Sequence, residues 1–151
     1  MNTFIRFLTV ITVIGTVCFT ACQKSDLKPN MVADVDSTAF SAISSALAVS
    51  IDHSTTPARL TIKGTSSNVT PGTTVYPCIT LTTQVSVGVH PIPDSAQGNY
   101  FSATTLSTGS PAVSGQVQIV SNASGTIKGN FSFIALNGVS VNGGQFACAA
   151  N

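Results

Sequence analysis

Apolar and polar residues alternate with a period of two along much of this chain. Between Ile79 and Val87, one face carries Ile79, Leu81, Thr83, Val85 and Val87, and the other carries Thr80, Thr82, Gln84 and Ser86. The same rhythm places Leu60 and Ile62 inward within Arg59–Lys63, and Val117 and Ile119 inward within Gln116–Val120. From Thr126 to Leu136 it puts Ile127, Phe131 and Phe133 on one parity, with Gly129 between them. Turn-forming clusters break these runs at short intervals, at 54–57, 64–72, 88–98, 109–111, 122–125, 137–138 and 142–144. Asn137-Gly138 suits the two central positions of a type I′ hairpin, because both residues tolerate positive φ. Strands this short and this evenly spaced predict an all-β fold: a single antiparallel β-sandwich or partly open barrel of about seven to eight strands. The segment Ser37–Ala48 is ambiguous. Phe40, Ile43 and Leu47 share a helical face, whereas Ile43, Leu47, Val49 and Ile51 share a strand parity; we lean towards strand. No internal repeat is visible, which argues against a solenoid or a Thr array.

The first residues follow a different pattern. Phe7–Phe19 is an uncharged apolar run of 13 residues behind Arg6, shorter than the roughly 20 that span a bilayer. Small residues then lead to Cys22, so residues 1–21 read as a secretory signal peptide. Phe19-Thr20-Ala21-Cys22 resembles a bacterial lipobox, with Phe where Leu is usual. That resemblance implies cleavage before Cys22 and acylation of its thiol, the multi-chain anchor that holds a protein stably at a membrane. An ordinary cleaved signal with a chance cysteine is the competing reading. Residues 22–36 are polar and hold five charges among Lys24, Asp26, Lys28, Asp34 and Asp36, as a tether would. Lys24 and Asp26 so close to Cys22 resemble the Bacteroidota signal that sends lipoproteins to the outer face of the outer membrane. The expected organisation is therefore a signal peptide at 1–21, a lipidated tether at 22–36 and one β-domain at 37–151.

Composition sharpens this. Asp and Glu together number 5, all Asp, and Lys and Arg number 6 in 151 residues. Ser (19) and Thr (20) take the place that charge usually holds on a surface. Within 37–151 the only charged residues are Asp52, Arg59, Lys63, Asp94 and Lys128, so nucleic acid is not an expected partner. Catalysis also has little to work with. For acid–base work the domain offers only His53, His90, Asp52 and Asp94; Asp52 and His53 would point to opposite faces of a strand, and His90 falls in a Pro-rich loop. No nucleophile elbow, phosphate loop, dinucleotide fingerprint or metal-ligand spacing occurs, so no cofactor or metal is expected.

Three C-terminal segments carry a resemblance: Ser114–Ile119, Gly125–Phe133 and Val139–Phe146, with Gly98-Asn99-Tyr100 before them. They are similar to a family of small Bacteroidota lipoproteins of unknown function, over about residues 85–150. The resemblance implies an all-β, membrane-tethered domain and transfers no catalytic residue.

Two cysteines remain after the leader, Cys78 and Cys148, in an exported, oxidising setting. A disulfide is expected, although alternation places them on different parities; two free buried thiols are the alternative. Tyr76 and Tyr100 are candidate ligand-binding aromatics, since the Phe residues fall on core parities. Ser37 and Ser95, in Asp-Ser-Thr and Asp-Ser-Ala, resemble Bacteroidota O-glycosylation sequons. The sequence thus predicts a non-catalytic binding or structural module, held at the outer membrane on its periplasmic or cell-surface side by the lipid anchor, with a glycan or an envelope protein as partner. A glycan-binding accessory lipoprotein is the alternative.

Overall fold

The computed structural model describes residues 28–68, 75–102 and 109–150. Ten strands account for most of them: β1 (Asn30–Val35), β2 (Thr38–Ile43), β3 (Leu47–Asp52), β4 (Arg59–Thr65), β5 (Cys78–Gln84), β6 (Gly88–Ile92), β7 (Gln97–Phe101), β8 (Ser110–Ala123), β9 (Thr126–Ala135) and β10 (Ser140–Ala149). All pairings are antiparallel, in the order β2-β1-β10-β9-β8-β7-β5-β4-β3. The all-β class is as expected, with ten strands instead of seven or eight.

β8 is 14 residues long and serves two neighbours on one flank. Its first residues pair with β7 and its middle pairs with β6. The curled sheet nearly closes where β2 approaches β4: Ser67 N–H donates to Ser41 O at 3.0 Å. Gly64 lies against Met31 and Ala42 at that seam.

The alternating positions fill the interior as the period-two pattern requires. Leu60 and Ile62, Ile79 and Leu81, Val117 and Ile119, and Ile127 are all essentially inaccessible. Phe131 stacks beside Phe133 at 6.5 Å between ring centroids and tilts against Phe146 at 6.3 Å. These rings fit because the facing rows omit side chains. A Cβ on Gly129 would overlap the Phe146 ring and the Gln118 carbonyl, and one on Gly144 would lie 2.6 Å from Phe131 ring carbons.

Two local readings change and a third is refined. Residues 30–35, assigned to the tether, form β1, with Met31, Ala33 and Val35 buried. The charged residues around them hid a short alternation. The Asn137-Gly138 turn is not type I′, because only Gly138 has positive φ, at 85°. Gly138 N–H donates to Ala135 O, and Val139 N–H donates to Asn137 Oδ1. This is a three-residue loop in which a turn is followed by a left-handed glycine, a common hairpin solution. The Ser37–Ala48 segment is strand from Thr38 on, as expected, but a 3-10 turn at Ser44–Ala46 interrupts it. That turn resets the parity: even-numbered Phe40 and Ala42 face inward before it, with Ile43 exposed, and odd-numbered Leu47, Val49 and Ile51 pack against the core after it.

Two stability changes follow. Gly129→Ala should cost about 1–3 kcal/mol, the usual penalty for forcing atoms into a filled core, read as a lower urea midpoint. Thr83 is 1% exposed and its Oγ1 has no hydrogen-bond partner among the described residues. Thr83→Val should therefore raise stability by about 1 kcal/mol, because it removes a buried unpaired hydroxyl without changing shape.

Candidate ligand-binding groove

The titratable groups do not converge. His90 is on strand β6, not in a loop, and is buried, its Nε2 2.8 Å from Ser86 O. His53 is exposed beyond the end of β3. Asp52 receives the Ser54 hydroxyl at 2.6 Å and the Ser54 backbone N–H at 2.8 Å. Those bonds hold its carboxyl below the usual range. Asp94 is exposed in the turn after β6. Among the described residues no three His, Cys, Asp or Glu side chains gather as metal ligands.

The cysteine expectation is corrected: Cys78 and Cys148 are both buried free thiols. Cys148 belongs to the inward row with Phe146, whereas Cys78 sits on the outward row with Thr80, beside Thr65. β9, β8 and β7 lie between their two strands in the sheet order. Opposite faces and intervening strands deny the close Cβ approach that a disulfide needs. Burial pushes the Cys148 thiol up to about 11, and burial is also the largest influence raising Cys78.

The outward faces of β4, β5 and β7 offer something more organised. Register aligns Thr61, Thr82 and Gln97 in one cross-strand row, and Lys63, Thr80 and Asn99 in the next. Thr61 Oγ1 and Thr82 Oγ1 are 3.2 Å apart and hydrogen-bonded. Thr65, Cys78 and Phe101 make the third row. Ile92 and Pro93 from the β6 end, and Pro111 and Ala112 from β8, rise beside this face. Together with Thr80, Thr82, Gln97, Asn99 and Phe101 they enclose a groove of about 470 Å³. No charged side chain lines it. The Phe101 ring is fixed from behind by Gly109, whose φ is +69° and where any Cβ would overlap the ring and Asn99 Oδ1.

A shallower depression of about 260 Å³ lies across β8, β9 and β10. Gln118, Asn130 and Gln145 face one another there in register, with Gln116 and Ser132 alongside.

The structure separates the two expected tyrosines. Tyr100 is on the inward row, 8% exposed, and burial raises its pKa. It is a core residue and not a ligand contact. Tyr76 is 50% exposed, ahead of β5, outside the groove lining. The aromatic that faces the groove is Phe101, which sequence reasoning assigned to the core with the other phenylalanines. The adjacent Tyr100 was the misleading neighbour: one of the pair must point outward, and the tyrosine hydroxyl suggested the wrong one. Ser37 is exposed in a turn with φ of 66°, and Ser95 is half-buried, its N–H donating to Pro91 O. Cys22 and the residues around it lie outside the described residues. No protein-family model, curated protein or solved structure matches this chain.

The thiols are testable directly. Intact mass without reductant should correspond to two free thiols at 78 and 148. Iodoacetamide at pH 8 should label Cys148 rapidly in urea and slowly in the native protein, because a thiol pushed up to about 11 is almost wholly protonated at that pH. Equal native and denatured rates would contradict its burial.

Proposed function

We propose that this chain is a lipid-anchored envelope module that acts by binding and not by catalysis. The observation that carries the anchor is Phe19-Thr20-Ala21-Cys22 at the end of a 13-residue apolar run too short to span a membrane. Acylation of Cys22 would supply the chains that make anchoring durable. The resemblance to small Bacteroidota lipoproteins, and Lys24 and Asp26 after the cysteine, favour the outer membrane.

The binding reading is supported by what the domain offers a ligand. Its histidines are separated, one buried against Ser86 and one exposed. Its one sizeable outer groove among the described residues that carries an outward-facing aromatic is uncharged, with hydroxyls and amides in register. General acid–base chemistry needs a titratable group within reach of the reacting atom, and none lines this groove.

Cys22→Ala should move the protein from the membrane to the soluble fraction and abolish incorporation of a labelled fatty acid. Unchanged fractionation with unchanged labelling would overturn the anchored reading.

A further inference from the structure

The groove on β5 and β7 has a composition that selects among ligand classes. Inorganic and organic anions call for a cluster of Arg and Lys or a helix N-terminus; neither is in the lining, and the one cation on the adjoining rows is Lys63, beside Thr80. Cations call for carboxylates, which are equally absent from its walls. A purely apolar ligand would leave Thr80, Thr82, Gln97 and Asn99 desolvated along its floor, a costly arrangement. What fits is a neutral molecule with both an apolar face and a set of hydroxyls.

We propose, building on the binding-module reading above, that this groove binds a neutral saccharide of one or two sugar units. Its floor presents two register pairs, Thr80 with Asn99 and Thr82 with Gln97. The members of each pair stand about 5 Å apart across the strands and the pairs about 7 Å apart along them. Thr80, Thr82 and Gln97 can each donate and accept, matching hydroxyls whose donor and acceptor roles are interchangeable, whereas Asn99 turns its buried Oδ1 towards Gly109. The Thr61–Thr82 hydrogen bond holds one hydroxyl in place before a ligand arrives. The Phe101 ring supplies the apolar platform for the C–H face of a sugar ring, and Pro93 and Pro111 extend the wall. Because Gly109 backs the ring closely, Phe101 meets the ligand without losing further side-chain freedom. The volume of about 470 Å³ lies within the roughly 300–1,000 Å³ of small-molecule sites. The amide depression on β8, β9 and β10 is smaller, at about 260 Å³, and its phenylalanine, Phe131, is a buried core residue.

The full mature protein in detergent, applied to an array of neutral, uronic-acid-containing and sulfated oligosaccharides, tests the assignment. The expected result is saturable binding confined to neutral glycans. Phe101→Ala and Thr80→Val should each weaken it by roughly tenfold, the scale of one lost stacking or hydrogen-bonding contact, while Gln118→Ala leaves it unchanged. Circular dichroism of each variant shows that the fold persists, and Thr80→Val keeps the shape of the side chain should Phe101→Ala fail to fold. Absence of binding by the folded protein overturns the proposal. So does binding that survives both groove variants, or that is lost in Gln118→Ala, or that favours charged glycans. None of these touches the anchor, which stands or falls on the Cys22→Ala fractionation alone.

Discussion

The interior of this domain is built from aromatic rings set into places where the facing strand has no side chain. Phe131, Phe133 and Phe146 occupy one end-to-end cluster; a Cβ at Gly129 or Gly144 would collide with it, and one at Gly98 would crowd Phe133. Phe146 pairs with Gly129 and Phe131 with Gly144 across β9 and β10, so each ring lies over a neighbouring-strand position that has no side chain. β8, β9 and β10 are locked in register by this interlocking, and β1 and β7 take their places against them. The seam between β2 and β4 uses the same device on a smaller scale, with Met31 set against Gly64.

Once the inward row is committed to packing, whatever the protein does has to be done by the outward row. That row is largely hydroxyl and amide, because Ser and Thr fill the positions where most soluble proteins place charge. Neutral surfaces of this sort cannot attract a partner from a distance by electrostatics; they discriminate on contact, through shape and hydrogen bonding. The groove bounded by Phe101 combines depth, an aromatic ring and paired polar side chains, which is why the proposed contact is assigned there.

Much of the fold was legible in the sequence, and the reason is the two-residue period. Leu60, Ile62, Val117, Ile119, Ile127, Phe131 and Phe133 all face inward as alternation demands. The errors came where alternation was short, broken or overwritten. β1 offers only Met31, Ala33 and Val35, interleaved with Asp34 and flanked by further charge, and so resembled a linker. The turn at Ser44–Ala46 shifts parity without any glycine or proline to announce it. The site was less legible than the fold. Phe101 faces outward through the parity of β7 alone, and its groove is assembled from residues of three other strands and their ends, among them Thr80, Pro93 and Pro111. Pairing order between distant strands is a tertiary property that no local pattern encodes. The free thiols have the same origin: a shared compartment brings cysteines into the same redox setting, but the sheet places these on opposite faces.

On the anchored reading, the polarity of the strands would also set a direction relative to the membrane. The chain enters the barrel at Asn30, beside Ala147, with Lys128 and Ser121 following along the same rim. The proline wall of the groove lies at the other rim, where Ala112 pairs with Ala135. Between the rims run strand lengths on the order of 20–25 Å. On the anchored reading, the domain hangs from its Asn30 rim, so its own height serves as a rigid standoff. The proposed groove would then be carried clear of the lipid headgroups and face the space beyond the membrane, even with a tether of only a few residues.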